Sequence, residues 1–323
     1  MPERDPQPFL ARLGWEGARH RTMAGDASSR RYERLSKGGD TAVLMDAPPE
    51  AGERIAPFLR VAHHLRAQGF SAPAILGHDA AEGWCLMEDL GDAVFARTIA
   101  DPATEGDLYA AATEALVHLQ AAPPPAWTEP YGPARMTAFV RPAWTDYLGR
   151  TAPPSPAWNA LEERLHDLLE RHAAERTVLI HRDYHAENLI WLPERTGIAR
   201  VGMLDFQDAL AGHPAYDLAS LVDDVRRDVS PRAEARVIRT YCDLTGSGEA
   251  ALRTALAVQS VQRNLRILGV FAGLAASRGK PRYLSLLPRV WGNLLRRLDE
   301  PGLHLLRTDI LSVLPAPPVR AAA

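Results

Sequence analysis

Two short polar segments in the middle of the chain carry side chains whose types and spacing suit phosphoryl transfer. His181, Arg182, Asp183 and Asn188 fill every fixed position of the pattern H-R-D-x-x-x-x-N, and Asp205-Phe206-Gln207 follows at a distance fit for a metal-binding partner. Magnesium ions that bridge β and γ phosphates take hard oxygen ligands, which the carboxylate of Asp205 and the amide oxygen of Asn188 supply. Asp183, five residues before Asn188, is then left to accept the proton of an incoming hydroxyl and to hold that oxygen in line with the γ phosphate. His181 reads as a residue that packs and orients the loop. A chance tripeptide explains one such segment far better than it explains two in this order.

The elements that must position these residues follow from local pattern. TVLIHRDYHAENLIWL and ARVGMLDFQD read as strand, loop, strand, turn and strand, a small β island between helices. Asp217, in GHPAYDLASL, opens an apolar helix, where an acid suits the helix N-terminus. Upstream, HRTM, RRYERL, TAVLM, PAILGHD and GWCLMEDL are short β-like runs separated by Gly, Asp and Ser, with one helix over residues 53–68. They predict a small antiparallel sheet. AGDASSRRY joins the first two runs, and Gly25, Ser28 and Ser29 there suit either a polar hairpin or a loop whose backbone amides approach phosphates. In WCLMEDLGD the backbone of Met87, Glu88 and Asp89 stands where a hinge would hydrogen-bond adenine. Past Gly91 the pattern is helical: residues 104–120, a helix capped by Ser155 and Pro156, and long segments over 249–277 and 283–298.

Composition bounds the class. A chain of 323 residues suits two units with separate cores, and 46% hydrophobic with 24% charged residues is ordinary for a packed globular protein. A net charge of -3 argues against a broad nucleic-acid surface. Cys85 and Cys242 make no disulfide framework or zinc motif, no apolar run is long enough to span a membrane, and the first residues lack a secretory pattern. A cytoplasmic protein with no nucleic-acid or membrane partner is expected.

Together these residues resemble the aminoglycoside phosphotransferase superfamily, and within it they are most similar to sugar kinases of cell-wall recycling. The likeness is carried by GDASSRRYERL, VLMDAPPE, HRDYHAENLIWLPERTGIARVGMLDFQDALAGHPAYDLASL and QRNLRILGVFAGLAASRGKPRYL. It implies an α+β, two-lobed protein-kinase-like fold: residues 1–90 a nucleotide-binding β-sheet lobe, 91–323 a mainly α-helical lobe with the catalytic loop and acceptor site. It implies a monomer using ATP and magnesium to phosphorylate the anomeric hydroxyl of N-acetylmuramate and N-acetylglucosamine. Asp217 then takes a second reading, as acceptor of backbone amides from the catalytic loop. Arg263 and Asn264, a polar patch on an apolar helix, read either as contacts to the lactyl carboxylate or as a packing patch. One departure stands out: Met45 occupies the strand position where such folds carry a phosphate-binding lysine. The only lysines are Lys37 and Lys280, so Arg30 or Arg31 is expected to supply the charge. Other acceptors within the fold (aminoglycoside, choline-like or thiamine-like) and a catalytically silent nucleotide-binding module are the alternatives.

Overall fold

A computed structural model describes residues 4–23 and 29–318 and divides the chain into two units. The first holds the described residues up to Thr98 together with Glu187–Asp208. Helix α1 (Gln7–Arg12) precedes five antiparallel strands: β1 (Arg19–Thr22), β2 (Arg31–Lys37), β3 (Asp40–Asp46), β4 (Ile75–Asp79) and β5 (Trp84–Glu88). Their order in the sheet is β1-β2-β3-β5-β4. The β2–β3 hairpin turns at Gly38 and Gly39, with φ of 60° and 99°, a two-residue turn that needs the left-handed backbone glycine tolerates. Helix α2 (Ala56–Ala67) is inserted between β3 and β4 and buries Phe58, Leu59, Val61, Ala62 and Leu65, the stripe its spacing predicts. The addition to the expected pattern is α1, whose Phe9 and Leu10 pack with Leu35, Leu44 and Trp84. Six residues are too few for a periodicity to show.

A short helix, α3 (Phe95–Thr98), and a hairpin of β7 (Leu189–Trp191) and β8 (Val201–Met203) complete this unit. Backbone bonds fasten the hairpin: Met203 N–H donates to Ser71 O at 3.0 Å and Trp191 N–H to Ala93 O at 2.8 Å.

The second unit, Ile99–Ala186 with the described residues from Ala209 on, is mainly helical. It contains α4 (Pro102–Gln120), α5 (Pro133–Ala138), α6 (Pro156–Ala173), α7 (Ala215–Val222), α8 (Pro231–Thr245), α9 (Glu249–Ser277), α10 (Leu287–Leu298) and α11 (His304–Val313). Strand β6 (Val178–Ile180) pairs antiparallel with β9 (Leu210–Gly212). Ser155 caps α6 by accepting from Trp158 N–H, with Pro156 in the first turn, as its sequence predicts. The expected helix over 283–298 is instead a 3-10 stretch, Pro281–Leu286, followed by α10, because Pro288 has no N–H to continue the first helix and suits the start of a second.

Helix α9 is the spine, buried along most of its length. At Gly269 it passes so close to the backbone of Pro142 that a Cβ would lie 2.1 Å from the carbonyl carbon. Its middle turns carry Gln259, Ser260, Gln262, Arg263 and Asn264, all buried polar residues in an otherwise apolar surface. Buried polar groups require partners.

Candidate active site

In the helical unit, β6 delivers the loop that begins at His181. Arg182 sits at φ 77°, a left-handed conformation uncommon for a residue with a Cβ. The carboxylate of Asp217, in the first turn of α7 and fully buried, holds this bend. His181 N–H donates to its Oδ2 at 2.6 Å and Arg182 N–H to its Oδ1 at 2.9 Å. Burial pushes the Asp217 carboxyl up to about 7, against the downward pull of the two amides. On the far side of the bend Tyr184, itself buried, donates its hydroxyl to Ala112 O in α4 at 2.8 Å. The loop is therefore fixed before and after Asp183.

Asp183 lies in a positive field. Arg263 Nη2 is 3.8 Å from its Oδ1, and a third of the Asp183 side chain remains exposed, at 33%. Burial raises its carboxyl, but Arg263 foremost, then Arg266 and Arg182, act against that and hold it at about 2. His185 is buried, and burial first and Arg226 next keep it well below the ordinary imidazole range. Its neutral ring lies 3.1 Å, Nε2 to Nη1, from Arg226, so Nε2 accepts from the guanidinium. The result is a carboxylate ionised at any working pH, flanked by arginines.

Within the sheet unit, Asn188 precedes β7, and Asp205 follows β8 after Leu204. The two ends are tied where Leu204 N–H donates to Asn188 O at 2.9 Å. Asp205 is left-handed, at φ 59°, and Gln207 Nε2 donates to its Oδ1 at 2.7 Å. Phe206 stacks on Phe58 of α2 with centroids 5.0 Å apart. Arg30 Nε meets Glu53 Oε2 at 2.9 Å, and the other oxygen of Glu53 accepts from Ser29 N–H at 3.0 Å. Burial pushes the Tyr32 phenol up to about 12, and Arg30, Asp205 and Glu53 all act on it electrostatically. Arg30 and Asp205 are thus in one neighbourhood.

The remaining expected residues sort by what they touch. Gly25 and Ser28 lie outside the described residues. Arg31 is splayed outward, 67% exposed and 3.9 Å from Asp46, while Met45 is fully buried in the sheet. Lys37 is engaged elsewhere, with Gly14 O at 2.7 Å and Glu16 at 3.2 Å. Met87 is inside the sheet; Glu88 binds Arg195 at 2.6 Å, and Asp89 binds Arg34 at 2.7 Å. Arg263 reaches Asp183, whereas Asn264 Nδ2 turns back to Ser260 O and Oγ at 2.9 and 3.0 Å. Sequence reasoning did not single out Glu53, His185, Arg226 or Arg266. His185 falls in a variable position of the loop motif, and the others stand in ordinary helix or charge-run contexts, so no spacing marks them.

Comparison with known proteins places this geometry. Residues 20–257 match the family described as APH, phosphotransferase enzyme family. The N-acetylmuramate/N-acetylglucosamine kinase of Caulobacter vibrioides is 38% identical to the chain, over 93% of each. The kinase of the same name from Pseudomonas aeruginosa is 35% identical over 88% of this chain and 86% of its own. A choline/ethanolamine kinase family protein from Mesorhizobium loti has a similar fold, with a TM-score of 0.65 at 16% identity over 94% of this chain and 95% of its own.

Asp217 is the residue on which the loop geometry rests. Asparagine keeps one acceptor oxygen and turns an N–H2 toward the other amide, so Asp217→Asn should lower stability by about 1–3 kcal/mol. Thermal melting and steady-state kinetics should show a lower midpoint and a turnover that falls more than either Michaelis constant rises. Wild-type melting with wild-type turnover would mean that the bend at Arg182 is held by something else.

Proposed function

Because the chain belongs to the APH phosphotransferase enzyme family, we propose that it moves the γ phosphate of ATP onto the anomeric hydroxyl of N-acetylmuramate and N-acetylglucosamine, in the cytoplasmic recycling of peptidoglycan sugars. The observation that carries the acceptor class is the charge around Asp183, whose carboxyl Arg263, Arg266 and Arg182 hold down. A polycationic aminoglycoside, or a choline-like or thiamine-like cation, would meet like charge there. A neutral N-acetylated sugar, or one bearing a carboxylate, would not. The names of the relatives point to the same acceptors.

In this reading Asp183 receives the acceptor hydroxyl. A carboxylate near 2 is a weak base, so it orients the hydroxyl at first and takes the proton late, as the oxygen–phosphorus bond forms. An anomeric hydroxyl suits this arrangement because the ring oxygen withdraws charge from the forming oxyanion. Asp217 and His181 support the loop from behind. Asn188 and Asp205 would hold magnesium: a carboxylate in a turn braced by Gln207 and one amide oxygen are hard donors that leave the rest of the shell to water and phosphate. Bound there, the ion would supply charge neutralisation on the β and γ phosphates.

For the nucleotide, the backbone of Met87, Glu88 and Asp89 is the adenine-binding segment, stiffened by the ion pairs of Glu88 and Asp89. Ser29 is assigned to the phosphate loop, together with Gly25 and Ser28, which lie outside the described residues. Arg30, oriented by Glu53, stands in for the lysine absent at Met45. A guanidinium presents a fork where an ammonium presents a point charge, so a lysine in its place would not reproduce it.

The acceptor test uses a blocked sugar. N-acetylglucosamine should be phosphorylated and its 1-O-methyl glycoside, with every other hydroxyl intact, should not; equal turnover would mean that another hydroxyl is the acceptor. For the nucleotide side, Arg30→Ala should raise the Michaelis constant for ATP about tenfold or more, the size expected for a lost charge-assisted hydrogen bond. Lys37→Ala should leave it unchanged. An indispensable Lys37 with a silent Arg30 would reverse the assignment.

A further inference from the structure

Around Arg263, which reaches Asp183, the side-chain atoms buried with no hydrogen-bond partner among the described residues include Asp224 Oδ2, Arg263 Nε and Nη1, and both amide atoms of Gln259. Gln259 is 0% exposed, and Asp224 and Arg263 are each 2% exposed. An unmade buried hydrogen bond carries its full desolvation cost, so several together require a reason. Neighbours on the same helix differ in degree: Gln262 and Asn264 each leave an amide oxygen buried without a partner but use their amide nitrogens, whereas Gln259 uses neither of its amide atoms. Gln262 Nε2 donates to Met136 O at 2.7 Å, and Asn264 Nδ2 donates to Ser260. Gln259 and Arg263 are four residues apart, which puts them on one face of α9. That is the face from which Arg263 Nη2 reaches Asp183.

Asp224 is held rigidly in place from the rear. Its neighbour Asp223 receives Arg297 through two nitrogens, at 2.8 and 2.9 Å, and also binds Arg296 and Ser260 Oγ. The other oxygen of Asp224 accepts from Arg226 N–H at 2.8 Å, and the Arg226 guanidinium meets His185, two residues past Asp183. Burial pushes the Asp224 carboxyl up, while Arg226, Arg263 and Arg227 oppose that. A charge kept at such cost, and aimed by a network that prevents its retreat, is suited to a ligand that brings the missing donor.

We propose that Asp224, Gln259 and Arg263 are the specificity determinants of the acceptor: they grip an N-acetylated sugar whose reacting hydroxyl lies at Asp183. Asp224 Oδ2 accepts from a ring hydroxyl. Arg263 Nε and Nη1 donate to carbonyl or carboxylate oxygens, and Gln259 pairs its amide with the acetamido group. Asn264 takes no part in the grip; its amide braces Ser260 and through it Asp223. This inference rests on the amino-sugar reading above.

Its test sets stability against affinity, since a structural role and a ligand-reserved role move them differently. Asp224→Asn and Gln259→Leu nearly preserve shape while removing the unpaired charge or the unpaired amide. Both variants should melt at or above the wild-type temperature, because Asp224→Asn removes a buried charge and Gln259→Leu an unmet buried amide. Both should raise the Michaelis constant for N-acetylglucosamine about tenfold or more, as expected for lost hydrogen bonds to a buried partner. The Michaelis constant for ATP should stay within about twofold, which fixes the defect on the acceptor. Lower melting temperatures, with ATP and sugar constants disturbed alike, would make these residues structural and overturn the proposal. So would an unchanged sugar constant in a wild type that phosphorylates the sugar. A wild type inert toward both N-acetylated sugars would overturn the amino-sugar reading itself, and with it this inference.

Discussion

The carboxylate of Asp217 accepts the backbone amides of His181 and Arg182, and the geometry of the loop that carries Asp183 depends on that grip. It holds Arg182 in a left-handed conformation that costs on the order of 1–3 kcal/mol for a residue with a side chain. Two buried hydrogen bonds, about 0.5–1.5 kcal/mol each even to an uncharged acceptor, are of the size needed to offset that cost. Released from the carboxylate, the bend would relax and turn Asp183 away from the arginines that set its charge. Tyr184, bonded to Ala112 in α4, extends the anchorage past Asp183. A precise loop is thereby built from one helix terminus, one strand end and one tyrosine.

In the proposed reading, electrostatics couples the strength of Asp183 as a base to the kind of acceptor it would receive. The arginines that hold its carboxyl at about 2 make it weak at extracting a proton. They also repel cations and favour neutral or anionic partners. An acidic hydroxyl on an uncharged or carboxylated sugar satisfies both conditions. In the sheet unit an arginine–glutamate pair occupies the neighbourhood of Asp205, while the strand position of the missing lysine is filled by a methionine that serves the core.

The loop and turn that carry Asp183, Asn188 and Asp205 were legible in the sequence because the spacing of the two segments is strict and they occur in order. The sheet and the long helix α9 were legible because alternation and a buried stripe persist over enough residues to be read. Short pieces such as α1, and the break at Pro288, fall below that length. What was not legible is burial without partnership. Asp223 and Asp224 lie in a charge run, VDDVRRD, that reads as a solvated surface, yet they are 1% and 2% exposed. Gln259 is one polar residue on a helix, and nothing local distinguishes an amide that braces the fold from one that faces a ligand. Glu53 escaped for a similar reason: its partner Arg30 lies far from it along the chain, and only the folded sheet joins them.

The central claim is that Asp183 handles the proton of the acceptor and does not merely help to bind it. Asp183→Asn, measured both for turnover and for equilibrium sugar affinity by calorimetry, tests this most directly. The account predicts that turnover falls by about a hundredfold to ten-thousandfold, as for loss of a general base, while the sugar dissociation constant changes by only a few-fold. Turnover near that of the wild type, or a loss confined to sugar affinity, would contradict it.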